Sequence, residues 1–394
     1  MQKSARTALW IIALIAVVNA LGYGIVIPVL YSYSRSFGLT DFQNGLLFSI
    51  FSVCQFVATP LIGRLSDAYG RKPLLILSLF GTFVSFFTMA FAPNAVWLFI
   101  ARALDGITAG NIPVALAVIS DTTDAKNRAK GFGIIGAAFG FGFTFGPAIS
   151  ALTLRWGVTT PFIIAGSVAA LSCVLTALLL PETNTHKGQA VSRHVFDFRH
   201  LLHALFDPAI GTTLTISFLV MLAFSTYIYV FQPFAVEVMR LPLQQISIVF
   251  TVMGVVGLIS QGLIIPRTVK MFGERPVLVA SVLVSMLTYA WLFSIRAYPL
   301  FLTVVLVQAF ANGFSNPILQ TLLSKETDEK SQGSIMGVNA SYQSIGQIIG
   351  PILGGILSTI FVPLPFLVAS ATMLVALILS VKILHKHLIH QSLV

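Results

Sequence analysis

The chain has 394 residues, of which 56% are hydrophobic and 9% are charged, and its mean hydropathy is +0.91. Soluble domains carry about 25% charged residues, so this composition excludes a soluble globular fold. The formal net charge of +10 does not indicate a nucleic-acid-binding protein, because the basic residues follow a membrane topology instead.

Twelve apolar runs of about twenty residues, rich in Leu, Ile, Val and Phe, follow one another along the chain. Each run is long enough to cross a hydrocarbon core of about 30 Å as a helix. A membrane β-barrel would alternate polar and apolar residues over about ten positions, and these runs do not. We therefore predict an all-α membrane protein with twelve transmembrane helices, numbered in chain order. The runs are 8–31, 43–62, 73–92, 95–119, 131–153, 160–180, 208–233, 244–266, 276–295, 298–321, 333–358 and 362–384.

The basic residues predict the orientation of these helices. With the N-terminus inside, the outer loops hold only Arg35, Arg155, Arg240 and Arg296, and all other Lys and Arg residues except Arg102 fall in inner loops and tails. This asymmetry follows the positive-inside rule. We therefore expect a multi-pass protein of the bacterial inner (cytoplasmic) membrane, surrounded by lipid, with both termini cytoplasmic.

An internal repeat relates the first six runs to the last six, with matching positions about 203 or 204 residues apart. Parallel repeats of this kind form two bundles related by an axis along the membrane normal, and they expose a midplane site to alternate sides. We predict two pseudo-symmetric bundles around a substrate path: an N-terminal six-helix bundle (1–181), a central cytoplasmic loop (182–207) and a C-terminal six-helix bundle (208–394). The matching pairs are Arg64 and Arg267, Gly70 and Gly273, Pro73 and Pro276, Ser120 and Ser324, and Asp124 and Asp328.

Four motifs stand out within this pattern. They are LGYGIVIPVL at 21–30 in helix 1, GRLSDAYGRKP at 63–73 after helix 2, ARALDGITAG at 101–110 in helix 4, and Gly142, Gly146 and Pro147 in helix 5, which helix 11 repeats as Gly346, Gly350 and Pro351. Together they resemble the major facilitator superfamily, and within it the twelve-span drug:proton antiporters, including tetracycline-efflux-like proteins. The resemblance covers residues 8–384.

The resemblance implies a cytoplasmic gate in the turn after helix 2. There Asp67 would cap the N-terminus of helix 11, where the helix dipole favours an anion, and would latch the halves in the outward-open state. The family usually carries a base where this chain has Ala68, so we expect a weaker latch. The gate residues on this interpretation are Gly63, Asp67, Gly70, Arg71, Lys72, Asp121 and Arg128.

By the same resemblance, the glycines and prolines of helices 5 and 11 form an antiporter motif. Small residues four apart let helices approach closely, and proline adds a bend. We expect tight packing between the two halves at this motif, and the resemblance implies transport in exchange for protons.

Asp105 is the one acid among thirteen that lies within a run rather than in a loop or at a span end. Arg102 lies three residues before it, where two helical side chains can pair. Each charge at a span centre costs about 2.5–3.5 kcal/mol, so two retained charges suggest a purpose. Either Asp105 takes up and releases the coupled proton, or the two residues form a permanent ion pair that only offsets the insertion cost. The related group usually carries an acid at the position of Asn19, and an asparagine cannot take up a proton.

The resemblance implies that helices 1, 4, 7 and 10 line the substrate path, with additions from helices 5 and 11. Apolar walls with a few amide and phenol groups suit a lipophilic, weakly polar ligand. The amides either line the site or form hydrogen bonds between helices. The predicted path residues are Asn19, Tyr23, Asn111, Tyr227, Gln232, Gln308, Asn312, Asn316, Tyr342 and Gln343.

The sequence predicts a transporter rather than an enzyme, because it contains no phosphate loop, metal-ligand spacing or nucleophile elbow. We expect no cofactor, no metal site and no nucleic-acid partner, and a monomer that binds a small-molecule substrate and protons. The predicted function is proton-coupled efflux of small amphiphilic or lipophilic compounds by alternating access. A specific metabolite or siderophore exporter or importer, and an uncoupled facilitator, remain alternatives.

Overall fold

The computed structural model describes the backbone of residues 3–123, 125–184, 204–208, 210–328 and 331–392. The side chains of residues 3–6, 125–130, 132 and 386–392 are outside that description. In the described part of the chain, twelve helices are long and apolar enough to cross a membrane. Each overlaps one of the predicted runs, which confirms the all-α architecture with twelve transmembrane helices.

The helices are named α1 to α12 after their spans, and the fourth and eighth spans each consist of two pieces. Their bounds are α1 Lys3–Arg35, α2 Asp41–Tyr69, α3 Arg71–Ala90, α4a Ala95–Thr108, α4b Ile112–Thr122, α5 Ala125–Thr153, α6 Thr160–Leu179, α7 Gly211–Pro233, α8a Leu243–Ile259, α8b Ile265–Phe272, α9 Glu274–Leu292, α10 Tyr298–Lys325, α11 Gln332–Ile360 and α12 Leu364–Ser392.

The fourth span is broken, although the sequence predicts one run over 95–119. A 3-10 turn over 109–111 separates its two pieces. Pro113 accounts for the break, because its nitrogen has no hydrogen to donate to the Ala109 carbonyl and its ring crowds that carbonyl. Gln55 of α2 donates its Nε2 to the Ala109 oxygen at 3.2 Å. A neighbouring helix therefore satisfies the carbonyl that the proline leaves open.

The chain forms two compact units. The first contains the described residues of 1–39, 50–195 and 242–251, and the second contains those of 40–49, 196–241 and 252–394. The second unit thus includes the N-terminal end of α2, where the Tyr229 hydroxyl donates to the Asp41 carbonyl and the Ser49 hydroxyl donates to the Ile348 carbonyl. Most of the predicted central loop 182–207 lies outside the described residues, so the predicted domain boundaries stay predictions.

Glycines let two pairs of helices pack closely, one pair within each unit. A Cβ on Gly142 of α5 would lie 2.3 Å from the Ala20 Cβ of α1, and a Cβ on Gly350 of α11 would lie 2.7 Å from the Ser225 Cβ of α7. Gly142 and Gly350 thus pack within their own predicted half. The same pattern continues where Gly146 packs on Gly24 and Gly346 packs on Met221 and Leu222, and Pro147 and Pro351 follow in α5 and α11. The expected packing between the predicted halves is found elsewhere in α11, where a Cβ on Gly45 of α2 would meet the Pro351 carbonyl oxygen.

Candidate coupling and transport site

Arg102 and Asp105 form a buried ion pair on α4a. Nη1 of Arg102 donates to Oδ2 of Asp105 at 3.0 Å, and the two residues are 2% and 6% exposed. The guanidinium carbon of Arg102 also lies 4.3 Å from the ring centroid of Phe51 in α2. A cation over an aromatic face is attracted by the ring quadrupole, so this ring provides a second contact for the charge. The two predicted coupling residues therefore share one buried site.

Gly106 explains how α2 comes so close to this pair. A Cβ at Gly106 would lie 2.3 Å from the carbonyl oxygen of Phe51 and 2.9 Å from the Cβ of Cys54. The absence of a side chain lets the α2 backbone pass there, and the Phe51 ring then reaches the guanidinium. Nε of Arg102 has no hydrogen-bond partner among the residues that the structure describes. The hydrogen-bonding capacity of the buried Arg102 guanidinium is therefore only partly met, and the stability of this buried charge depends on the negative charge of Asp105.

A chain of polar side chains joins α1, α3 and the broken fourth span next to the ion pair. Asn19 donates its Nδ2 to Oδ1 of Asn111 at 2.7 Å, and Asn111 donates its own Nδ2 to the Ser78 hydroxyl at 2.7 Å. The hydroxyls of Thr82 and Thr108 lie 3.1 Å apart. Two predicted path residues, Asn19 and Asn111, are thus hydrogen-bonded to each other. Of the two roles expected for the amides, lining the site or joining helices, this contact is the second.

A small internal cavity lies beside Asp105 in the first unit. Its volume available to a water-sized sphere is ≈ 10 Å³, which is close to the minimum that one water needs. Asp105 therefore has room for a single small polar partner in addition to Arg102. The residues that line the cavity include the polar Asn19, Tyr23, Thr82 and Asp105 and the aromatic Phe51 and Phe86.

Four of the predicted gate residues meet at the turn between α2 and α3. Arg71 donates its Nη1 to the Ser66 hydroxyl at 2.7 Å and pairs with Asp67, and its Nε lies 3.4 Å from Oδ2 of Asp121. Gly70 has a φ of 111°, a conformation that side-chain-bearing residues rarely adopt. The cap on helix 11 by Asp67 stays a prediction. The other predicted gate residues are Gly63, which faces Pro113, Lys72 in the first turn of α3, and Arg128, whose side chain lies outside the described part.

Glu182, just after α6, holds this turn in place. Its Oε1 accepts hydrogen bonds from the backbone N–H of Arg71 at 2.9 Å and from those of Thr183 and Asn184 at 3.0 Å each. Asn184 also donates its Nδ2 to the Asp67 carbonyl at 2.8 Å. Hydrogen bonds to an ionised carboxylate are about twice as strong as neutral ones. The chain that leaves α6 is thereby tied to the candidate gate.

Part-buried amides lie together in the second unit. Gln343 of α11 donates its Nε2 to the Ser217 hydroxyl of α7 at 3.2 Å and to Oδ1 of Asn316 in α10 at 3.4 Å. Asn312, one turn before Asn316, is also only partly buried. The structure thus brings two predicted path residues of α10 and α11 into contact and leaves them accessible.

The other predicted path residues of the second unit are buried in its interior. Tyr227 is 0% exposed, and its ring centroid lies 5.1 Å from that of Tyr289. Gln308 accepts a hydrogen bond from a threonine of α9, and Gln232 is likewise buried. Tyr342 packs in an apolar cluster with residues of α7 and α10. These side chains hold packing positions in this structure, and their role in a substrate path stays a prediction.

The sequence of this chain matches a known family over nearly its whole length. The family model of the Major Facilitator Superfamily matches residues 12–271 and 214–389. This chain belongs to the Major Facilitator Superfamily. It is therefore a multi-pass membrane transporter of small molecules rather than an enzyme, and the resemblance drawn from its motifs is confirmed.

Similar members of the superfamily include proteins named for drug resistance. The chain is 29% identical to the class C tetracycline resistance protein of Escherichia coli over 353 residues, which are 87% of this chain and 88% of that protein. It is 30% identical to Multidrug resistance protein 1 of Bacillus subtilis (strain 168) over 364 residues, or 92% of each.

Two solved structures support the fold of this superfamily member. The nucleoside transporter NupG has a TM-score of 0.78 at 16% identity, covering 95% of this chain and 99% of that one. The human organic anion transporter MFSD10 has a TM-score of 0.72 at 22% identity, covering 96% and 100%.

Several residues that support the site of this Major Facilitator Superfamily member lie outside the sequence motifs. Ser78 and Thr82 lie four residues apart in α3, and this spacing on one helical face could have marked them as partners for another helix. Pro113 could have pointed to a donor such as Gln55. Nothing in the sequence distinguishes Phe51 from the other phenylalanines of the chain.

Proposed function

We propose that this transporter exports small amphiphilic or lipophilic compounds across the bacterial cytoplasmic membrane in exchange for protons, by alternating access. The relatives named for tetracycline resistance and multidrug resistance support this class of compound. Part-buried amides on α10 and α11 suit a weakly polar ligand in apolar surroundings. On this proposal the protein acts as a monomer with both termini in the cytoplasm.

The buried pair of Arg102 and Asp105 is the observation that carries proton coupling. With Asp105 ionised, the pair is neutral overall. With Asp105 protonated, a full positive charge remains on Arg102, which is costly in the middle of a membrane span. The two protonation states therefore differ by one charge within the first unit. A difference of this kind favours different conformations, and a coupled transporter requires such a preference.

Transport by reconstituted vesicles tests this proposal. Inside-out vesicles carrying wild-type or Asp105→Asn protein are given a pH gradient with the acidic side in the lumen. Accumulation of tetracycline and of ethidium in the lumen is measured. We expect gradient-driven accumulation by the wild type. With Asp105→Asn, accumulation should equal the level that is measured without a pH gradient. Asp328→Asn, which alters an exposed carboxylate after α10, serves as the matched control and should keep the wild-type rate.

Two outcomes of this experiment contradict the proposal. Unchanged gradient-driven transport by Asp105→Asn removes Asp105 from the coupling mechanism. If the wild type accumulates neither compound, the proposed substrate class is wrong.

A further inference from the structure

Asn19 and Asp105 face the same internal cavity, although they belong to helices that are far apart in sequence. Asn19 comes from α1 and Asp105 from α4a, and Thr82 of α3 adds a hydroxyl to the lining. The space of ≈ 10 Å³ for a water-sized sphere fits one water and no larger ligand. The cavity is therefore a place where three helices present polar groups to one small molecule.

The polar groups of the lining suit a water that exchanges protons. A buried water makes about three hydrogen bonds to polar groups around it. Here a carboxylate, an amide, a phenol and a hydroxyl are available, from Asp105, Asn19, Tyr23 and Thr82. Asn19 continues to Asn111 through a bond of 2.7 Å. The cavity is therefore connected by hydrogen bonds to the turn at which the fourth span breaks.

We propose that this cavity holds one water that delivers the proton to Asp105 and accepts it again. When this water takes up a proton and becomes hydronium, it transfers H⁺ to a carboxylate oxygen, so that one O–H bond breaks on the hydronium as one forms on Asp105, and a neutral water remains. The reverse step releases the proton. This inference rests on the proposed function, in which Asp105 takes up the coupled proton.

The cavity, rather than residue 105 alone, then defines the proton site. A carboxylate at position 19 would face the same water and could replace the one at position 105. Among the described residues, the charged and titratable groups around Asp105 are Arg102 on α4a, Tyr23 on α1 and Cys54 on α2, which packs on Gly106. The side chains that α3 presents, Ser78 and Thr82, do not titrate in the range of interest.

Moving the carboxylate across the cavity tests the inference. Wild type, Asp105→Asn, Asn19→Asp/Asp105→Asn and Asn111→Asp/Asp105→Asn are compared. Asn111 is bonded to Asn19 but does not line the cavity, so its double variant is the matched control. Gradient-driven transport is measured in vesicles, and pH-difference infrared spectra of the purified proteins detect a titrating carboxyl group.

We expect Asp105→Asn to lose gradient-driven transport and the titrating carboxyl band. Asn19→Asp/Asp105→Asn should regain both, and Asn111→Asp/Asp105→Asn should regain neither. A folded Asn19→Asp/Asp105→Asn protein without recovery, or equal recovery by both double variants, overturns the inference. Full activity of Asp105→Asn instead contradicts the proposed function, so the two failures are distinguishable.

A second variant keeps the test decisive if the double variants do not fold. Thr82→Val replaces one hydroxyl of the cavity by a methyl group of similar size and leaves Asp105 in place. Because the water loses a hydrogen-bond partner, the pH midpoint of the Asp105 carboxyl band should shift. An unchanged midpoint in folded Thr82→Val protein overturns the inference.

Discussion

Substitutions in the Arg102–Asp105 pair can separate a structural role from a coupling role. Asp105→Leu leaves the guanidinium of Arg102 in a site where only 2% of the residue is exposed. Breaking a buried pair by removing one partner costs about 3–5 kcal/mol of stability. The contact between the guanidinium carbon and the Phe51 ring centroid, at 4.3 Å, remains in the variant. It therefore does not change the stability difference between the variant and the wild type. Replacing both charges, as in Arg102→Met/Asp105→Leu, is expected to be neutral or stabilising by about 1–4 kcal/mol.

Thermal unfolding in detergent and gradient-driven transport in vesicles measure the two roles independently. We expect Asp105→Leu to unfold below the wild-type temperature, and the double variant to unfold at or above it. Both should lack gradient-driven transport. A double variant that recovers both transport and stability would refute the reasoning, because the pair would then have a structural role only. An Asp105→Leu protein as stable as the wild type would show that the guanidinium is solvated in place.

Two further predictions concern packing and the candidate gate. Gly142→Ala places a methyl group 2.3 Å from another Cβ and should cost about 1–3 kcal/mol of stability. Gly136→Ala, whose new Cβ would meet no atom of another described helix within 4 Å, should change the melting temperature little. Equal melting temperatures of the two variants would contradict the packing argument. Glu182→Ala removes the acceptor of three backbone N–H groups and should lower the free energy of unfolding by about 1–3 kcal/mol. Glu182→Gln should be closer to the wild type in the same melting assay. A Glu182→Ala protein that melts like the wild type would show that these bonds do not stabilise the turn.

The twelve helices and the family could be predicted from sequence because lipid leaves the backbone little choice. A span without water must satisfy its backbone groups internally, so an apolar run of sufficient length becomes a helix. The motif residues were also informative, since Gly70 lies in a turn with positive φ and Arg71 lies among acids at that turn. These features depend on local sequence and on the membrane as solvent.

The partners of each residue could not be predicted in the same way. Asn19 and Asn111 have the composition of path-lining amides, yet they bond to each other because α1 packs on the fourth span. Gly142 has the spacing of an interface between halves, yet it packs on α1 in its own unit. Tyr227 is polar enough for a binding site but fills an aromatic interior. In each case helix rotation and packing decide the outcome, and hydropathy does not encode them.

The hydrogen bond from Gln55 to the Ala109 carbonyl has a consequence for biogenesis. A ribosome makes α2 before the fourth span, so the donating amide is already in the bilayer when the proline-broken segment arrives. Without it, the nascent segment would present an open carbonyl to hydrocarbon, at a cost of several kcal/mol. The earlier helix thus supplies the hydrogen-bond donor that the later span needs, and the order of synthesis helps a kinked span to insert.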